Sequence, residues 1–145
     1  MTRHRIYLDN CCFNRPYDDQ VYLTVHLETE AKLFVQKEIL QGSFELAWSY
    51  MLDYENSMNP YEERKKSIEK WKNVAVYDVD FSVDVNILGN KILTYGLKNK
   101  DALHIACAIM AKCAYFLTTD KSVLNKQLAE IIVINPIDFV RKIGA

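Results

Sequence analysis

Residues 97–120, LKNKDALHIACAIMAKCAYFLTTD, decide how the rest of the chain is read. Between Ala102 and Ala111 every residue but His104 is apolar, and a helix that is apolar almost all round belongs inside a fold. Asp101 stands at the first turn of that helix. Free backbone N–H groups and the helix dipole favour an anion there, so a capping role would by itself account for it. Ala114-Tyr115-Phe116-Leu117 then reads as a short buried strand, with Thr118-Thr119-Asp120 at its end. In open parallel sheets, polar groups at the carboxyl ends of strands and at helix N-termini converge on one crevice. Both acids are therefore expected at the same edge.

Working outward, Arg5 to Leu8 is a β-prone run that ends in Asp9, the same arrangement as at Asp120. Residues 10–20, NCCFNRPYDDQ, read as a polar loop around Pro16. A helix is expected from about Tyr22 to Leu40, stopped by Gly42, with Leu27, Ala31, Phe34, Val35 and Ile39 facing inward. Phe44 to Trp48 is the second strand, and Ser49 caps the helix after it; that segment carries two acids, Asp53 and Glu55, before Pro60 breaks it. A charged helix over 60–73, a weak strand over 75–77 and a helix over 83–95 follow. Beyond Asp120 come a helix over 122–129, a strand over 131–134 and a terminal helix opened by Pro136. Strands alternating with helices predict an α/β fold of three layers, with a mainly parallel central sheet of four to five strands flanked by helices.

The 145 residues, 50% of them hydrophobic, suffice for one core, so 1–145 is expected to be a single domain. A net charge of -1 gives no global attraction for nucleic acid, and any such binding must be local. The four cysteines lack zinc-site spacing and read as reduced, mostly buried small hydrophobes. The opening Met-Thr-Arg-His-Arg leads straight into a strand, and no apolar run approaches the ~20 residues of a membrane span, so a cytoplasmic protein with no membrane partner is expected.

Asp9, Asp101 and Asp120 thus arrive from separate parts of the chain at one end of one sheet, and the helix after the second strand adds a fourth acid. Clustered carboxylates raise one another's pKa and end up protonated or bound to a cation. Oxygen ligands with no Cys or His pattern suit Mg²⁺ or Mn²⁺. An ordinary α/β domain also ends strands in Asp, so position alone leaves both readings open.

Four fragments in order resemble the PIN-domain family across essentially the whole chain: YLDN (7–10), SYMLDYE (49–55), KDALHIACA (100–108) and LTTD (117–120). The resemblance implies a PIN-like fold and a metal-dependent endoribonuclease, often the toxin of a bacterial toxin–antitoxin pair, that leaves a 5′-phosphate. It implies Asp9, Glu55, Asp101 and Asp120 as catalytic residues and metal ligands, and so chooses Glu55 over Asp53. It also implies Mg²⁺ or Mn²⁺ as cofactor, RNA as substrate, an antitoxin protein as partner, and a homodimer. One departure is Cys11, where many members carry Asn or Ser. Thr118 and Asn10 are the candidates to hydrogen-bond an acidic ligand or a water. Arg15 and Lys121 flank the proposed cleft as phosphate contacts, and Arg64, Lys65 and Lys66 are candidates for a wall of an RNA groove. His104, one turn after Asp101, could face the site but is assigned to the core as a hydrogen-bonded residue, and Tyr7, Tyr17, Tyr22, Tyr50 and Tyr54 could stack on unpaired bases but are mostly assigned to the core.

Three rivals stand beside this reading. A silent PIN-like scaffold would keep the fold, but it has no use for four acids. A structure-specific DNA nuclease would share the metal site, yet the chain lacks room for extra helical elements. A response-regulator receiver gathers Asp at strand ends too, but Asp9 has no adjacent acid and no Lys follows the strand ending at Ile134.

Overall fold

The computed structural model describes residues 3–144. Five strands, β1 (His4–Leu8), β2 (Phe44–Ser49), β3 (Tyr77–Val79), β4 (Tyr115–Leu117) and β5 (Ile132–Ile134), form one all-parallel sheet in the order β3-β2-β1-β4-β5. The chain winds outward from β1 to β3, then crosses over and winds outward again through β4 and β5. The order reverses between β1 and β4, and ligands of open sheets bind at the carboxyl end of such a switch point. A receiver has its strands in the order 2-1-3-4-5, so the topology excludes that rival.

Helices cover both faces because successive strand residues point to opposite sides. On one face Phe44 and Tyr115 pack edge-on against Phe139, and Trp48 against Phe13. Phe139 belongs to α8 (Pro136–Lys142), which lies against α2 (Leu23–Leu40). On the other face Tyr7 stacks on Phe116 and meets His104 of α6 (Asn99–Met110). The helix α5 (Val83–Leu93) packs closely on α6, and Gly89 permits it: a Cβ there would lie 3.0 Å from Leu103 Cδ2. The predicted architecture is what is seen, an α/β fold of three layers.

Several local expectations need correcting. Residues 10–20 are not a plain loop: α1 (Asn10–Asn14) starts at once, capped by Asp9, and a 3₁₀ turn follows over Arg15–Tyr17. The charged helix is α4 (Glu62–Glu69), and its tail, Lys70–Val74, tightens into 3₁₀. The third strand begins at Tyr77, since Val76 N–H is already spent on the Leu46 carbonyl before the ladder starts. The helix after Asp120 is the short α7 (Lys121–Leu124). The helix α2 keeps the predicted apolar period at Val35, Ile39 and the half-buried Phe34 and departs from it at its head. It buries Glu28, Thr29, Lys32, Val35, Gln36 and Ile39, and leaves Leu27 exposed. Glu28 is the reason: it accepts from Arg15 Nε (2.9 Å) and from the Asn135 amide, tying α2 to the first loop and to the head of α8. Cys12, Cys107 and Cys113 are buried free thiols and Cys11 is half-buried, as expected of reduced cysteines. No helix among the described residues is long and apolar enough to cross a membrane.

Candidate metal centre

Asp9 follows β1 directly, at the switch point. Its backbone N–H bonds the Leu117 carbonyl (2.9 Å), which locks the ends of β1 and β4 together. The carboxylate is buried and each oxygen accepts a hydrogen bond while keeping a lone pair: Oδ1 accepts from Asn10 N–H (2.8 Å) and Oδ2 from the Thr118 hydroxyl (2.9 Å). Cys11 Sγ lies 3.6 Å from Oδ2 and 3.4 Å from Thr118 Oγ1, so the thiol occupies the place of a polar helper. Burial pushes the Asp9 carboxyl up and the Glu55 charge adds to this, while His104, Thr118 and Asn10 oppose.

Ser49 ends β2 and caps α3 (Tyr50–Ser57), its hydroxyl accepting from Leu52 N–H, and Glu55 lies on that helix. Of its two acids, Asp53 is taken by Trp48 Nε1 (2.9 Å) and Lys72 Nζ (3.1 Å). Glu55 is the one that lines the crevice. Its Oε1 meets His104 Nε2; its Oε2 accepts from Asn10 Nδ2 (3.2 Å) and lies 3.6 Å from Lys100 Nζ. Burial raises the Glu55 carboxyl, but His104 and Lys100 outweigh it and hold it below its ordinary value.

Asp101 is in the first turn of α6 but is not its cap. The capping position is Lys98, which makes no side-chain cap bond, so the capping explanation of Asp101 falls. Burial, followed by the charges of Asp9 and Asp120, raises the Asp101 carboxyl. Asp120 caps α7, its Oδ1 accepting from Ser122 N–H (2.9 Å) and the Ser122 hydroxyl (2.7 Å), which leaves Oδ2 outside the cap. All four acids line one crevice of 410 Å³.

The cations differ from expectation. Arg15 presents no free guanidinium, being held by Glu28 (2.6 Å) and Asp18 (3.0 Å). Lys121 is exposed on α7 and is not among the crevice walls, whereas Lys98 and Lys100 are. The run KNK just before Asp101 was the available signal. His104 is buried, as expected of a core residue, and yet touches the site: Nδ1 meets the Tyr7 hydroxyl (2.6 Å), which in turn bonds Ser49 Oγ (2.6 Å). One ligand atom each from Asp9, Glu55 and His104 lie within 4.8 Å of one another. Single-sequence reading could not see this, because only the register of α3 against α6 brings Glu55 to the imidazole. Tyr7 is core as expected, but Tyr17, Tyr22 and Tyr54 are exposed.

These residues fit a divalent cation. Burial and the charges of Asp9 and Asp120 raise the Asp101 carboxyl, and Asn10 Oδ1 in the same wall is buried with no hydrogen-bond donor among the described residues. An acceptor stranded beside carboxylates is an arrangement that a cation or its water completes.

No protein-family model matches the chain, and no curated protein does. Among solved structures, the crystal structure of VapBC2 from Rickettsia felis bound to a DNA fragment from their promoter is similar to it. The two are 16% identical with a TM-score of 0.56, over 90% of this chain and 98% of that one. The fold is PIN-like. That likeness, the all-parallel sheet and its reversed strand order agree on the fold.

Proposed function

We propose that the chain is a metal-dependent endoribonuclease, the toxin member of a toxin–antitoxin pair. The observation that carries this is the meeting of Asp9, Glu55, Asp101 and Asp120, from four separate segments, in one crevice at the switch point of the sheet. The resemblance of the motifs to the PIN-domain family and the fold-level likeness to VapBC2 support the toxin reading. An antitoxin partner, a homodimer and a cytoplasmic setting go with it.

In this reading the four acids hold Mg²⁺ or Mn²⁺, which supply an activated water and stabilise the leaving oxygen when bound. Thr118 and Asn10 N–H fix both oxygens of Asp9, so that carboxylate cannot rotate away from the crevice. The relay Ser49–Tyr7–His104 does the same for Glu55 from within the core. Such supporting hydrogen bonds orient metal ligands and matter nearly as much as the ligands themselves. Lys98 and Lys100 at the rim supply positive charge for a phosphodiester.

A labelled, structured RNA incubated with purified protein and Mg²⁺ or Mn²⁺ tests the proposal, with EDTA and Asp9→Asn as controls. Cleavage abolished by both controls is the expected result; cleavage that survives either one would remove the acids from the reaction. One observation favours a second reading, the silent scaffold: Glu55 already has a cation, Lys100, and a hydrogen-bond partner, His104, without any ion. Millimolar Mg²⁺ or Mn²⁺ discriminates, since a ligand that binds only the folded state raises the melting temperature by mass action. A scaffold shows neither that shift nor cleavage.

A further inference from the structure

Beside the acidic crevice runs a second groove. The two share a wall, Asn10, Asn14 and Glu55, and the groove continues over Met58, Tyr61 and Arg64. The segment joining α3 to α4 builds it and is pinned in place. Asn59 Oδ1 accepts from Tyr61 N–H (3.1 Å), and Asn59 Nδ2 donates across to Asn14 Oδ1 (3.4 Å) on α1. The far wall is therefore fixed relative to the carboxylates.

Arg64 is unusual among the cations of this region. Its guanidinium lies 3.9 Å from the ring centre of Tyr61 and 4.9 Å from that of Tyr17. Arg15 and Lys100 have carboxylate partners, whereas Arg64, like Lys65, Lys66 and Lys98, makes no ion pair among the described residues, and of these four it is the one stacked on aromatic rings. The rings remain open, Tyr61 at 56% exposure and Tyr17 at 38%. Burial of apolar surface therefore does not explain the stack. A guanidinium stacked on rings keeps its in-plane N–H donors for a planar or phosphate acceptor, and each open ring offers a face on which a base can stack. Lys98 lines the crevice outside the shared wall, so the order across this surface is cation, carboxylates, then cation with aromatics.

We propose that this groove is a nucleotide subsite, in which one unpaired base stacks on Tyr61 while Arg64 meets the adjoining phosphate. The inference rests on the ribonuclease reading and sharpens it: the RNA must be single-stranded beside the bond that is cut. In a duplex both faces of a base are taken by its neighbours, and no face is left for Tyr61.

The test is binding of a fluorescein-labelled single-stranded oligoribonucleotide and of the same sequence as a blunt duplex, to the full chain carrying Asp101→Asn and in Mg²⁺, so that nothing is cut. The expected result is preference for the single strand. Tyr61→Ala or Arg64→Ala should weaken single-strand binding roughly 5- to 150-fold, the range for losing one stacked base, with no change for the duplex. Tyr61→Phe, which keeps the ring face, should bind like its parent. A 2-aminopurine placed in the oligonucleotide should be quenched on binding, and Tyr61→Ala should lose that quench. Equal binding of strand and duplex, or Ala variants that bind the single strand as the parent does, would overturn the subsite. If the wild-type chain still cuts RNA in that case, only the subsite falls and the groove serves another class of ligand, such as a protein segment. A wild-type chain that neither cuts nor binds RNA would overturn both readings.

Discussion

The helices α6 and α2 both carry polar groups into the interior, and they do so for opposite reasons. In α6 the polar groups lie at one end and aim out of an apolar body: Asp101 in the first turn and His104 one turn on both face carboxylates brought from other elements. These charges are left in tension, the Asp101 carboxyl raised by burial and by Asp9 and Asp120. In α2 the head of the buried polar stripe is settled by groups from other elements: Glu28 takes Arg15 and Asn135, and the Thr29 hydroxyl takes the Arg15 carbonyl, while Lys32 has no carboxylate partner among the described residues. Tension marks a site and settlement marks a brace, because a fold tolerates unpaired buried charge only where something else completes it.

Paired substitutions put that contrast to its hardest test. Asp101→Asn in α6 should reduce cleavage to background while leaving the melting temperature unchanged or raised, since it removes one of several mutually repelling carboxylates. Glu28→Gln in α2 removes the buried charge opposite Arg15, which keeps Asp18, and should cost about 1–3 kcal/mol in urea unfolding, with activity per folded molecule retained. The comparison breaks if the two variants trade places, with Asp101→Asn unfolding the chain and Glu28→Gln costing nothing.

The same contrast explains what could be read without coordinates. The helix α6 was legible because its apolar run leaves few ways to pack, and Asp9 and Asp120 were legible because a strand end fixes their edge. Ser49 as the cap of α3 followed from its place between strand and helix. The later turns of α2 were legible at Val35 and Ile39, but its head was not. Its apolar period points Leu27 inward, yet pairings with Arg15, thirteen residues back, and with Asn135, at the head of α8, turn Glu28 in instead. His104 was legible as a hydrogen-bonded core residue but its partner was not, since a histidine in an apolar helix looks alike whether that partner is a backbone carbonyl or Glu55. Helical period reports burial, and it carries nothing about partners brought from a distance.

Lys32 supplies the next test, because it is the member of the α2 stripe that is not settled. It is buried above the Phe13 ring at 5.8 Å, and burial lowers its ammonium from 10.5 to about 8, with Cys12 opposing only weakly. The folded value thus lies below the unfolded one. Under pH 8 both states hold the proton and the fold bears the whole cost. Between pH 8 and about 10.5 the unfolded chain binds more protons, so stability rises with pH. Lys32→Met should flatten that rise and stabilise the chain at pH 7 by up to about 3 kcal/mol, which urea unfolding of parent and variant across this window would measure. A variant that is less stable at pH 7 would mean that the contact with Phe13 outweighs desolvation, and that α2 is settled along its whole length.

The smallest expected effect lies where the two helices end alike. Each closes with the same pair of bonds: Gly42 N–H to Ile39 O and Ser43 N–H to Glu38 O in α2, and Lys112 N–H to Ile109 O and Cys113 N–H to Ala108 O in α6. The residue in the left-handed region is glycine in the first (φ +83) and lysine in the second (φ 60). An L side chain there costs about 1–2 kcal/mol, partly offset because glycine loses about 0.4–1 kcal/mol more entropy on folding. Lys112→Gly should therefore stabilise the chain by roughly 0.5 kcal/mol. Gly42→Ala should destabilise it by about the same amount, through the backbone alone, since a Cβ there meets nothing nearer than Arg3 Nη1 at 3.8 Å. Equal and opposite shifts in the urea midpoint would show that the two termini obey one rule, and that the helices differ only in what their buried charges are for. A loss of stability in Lys112→Gly would instead mean that the Lys112 side chain does something at the end of α6 that outweighs its backbone cost.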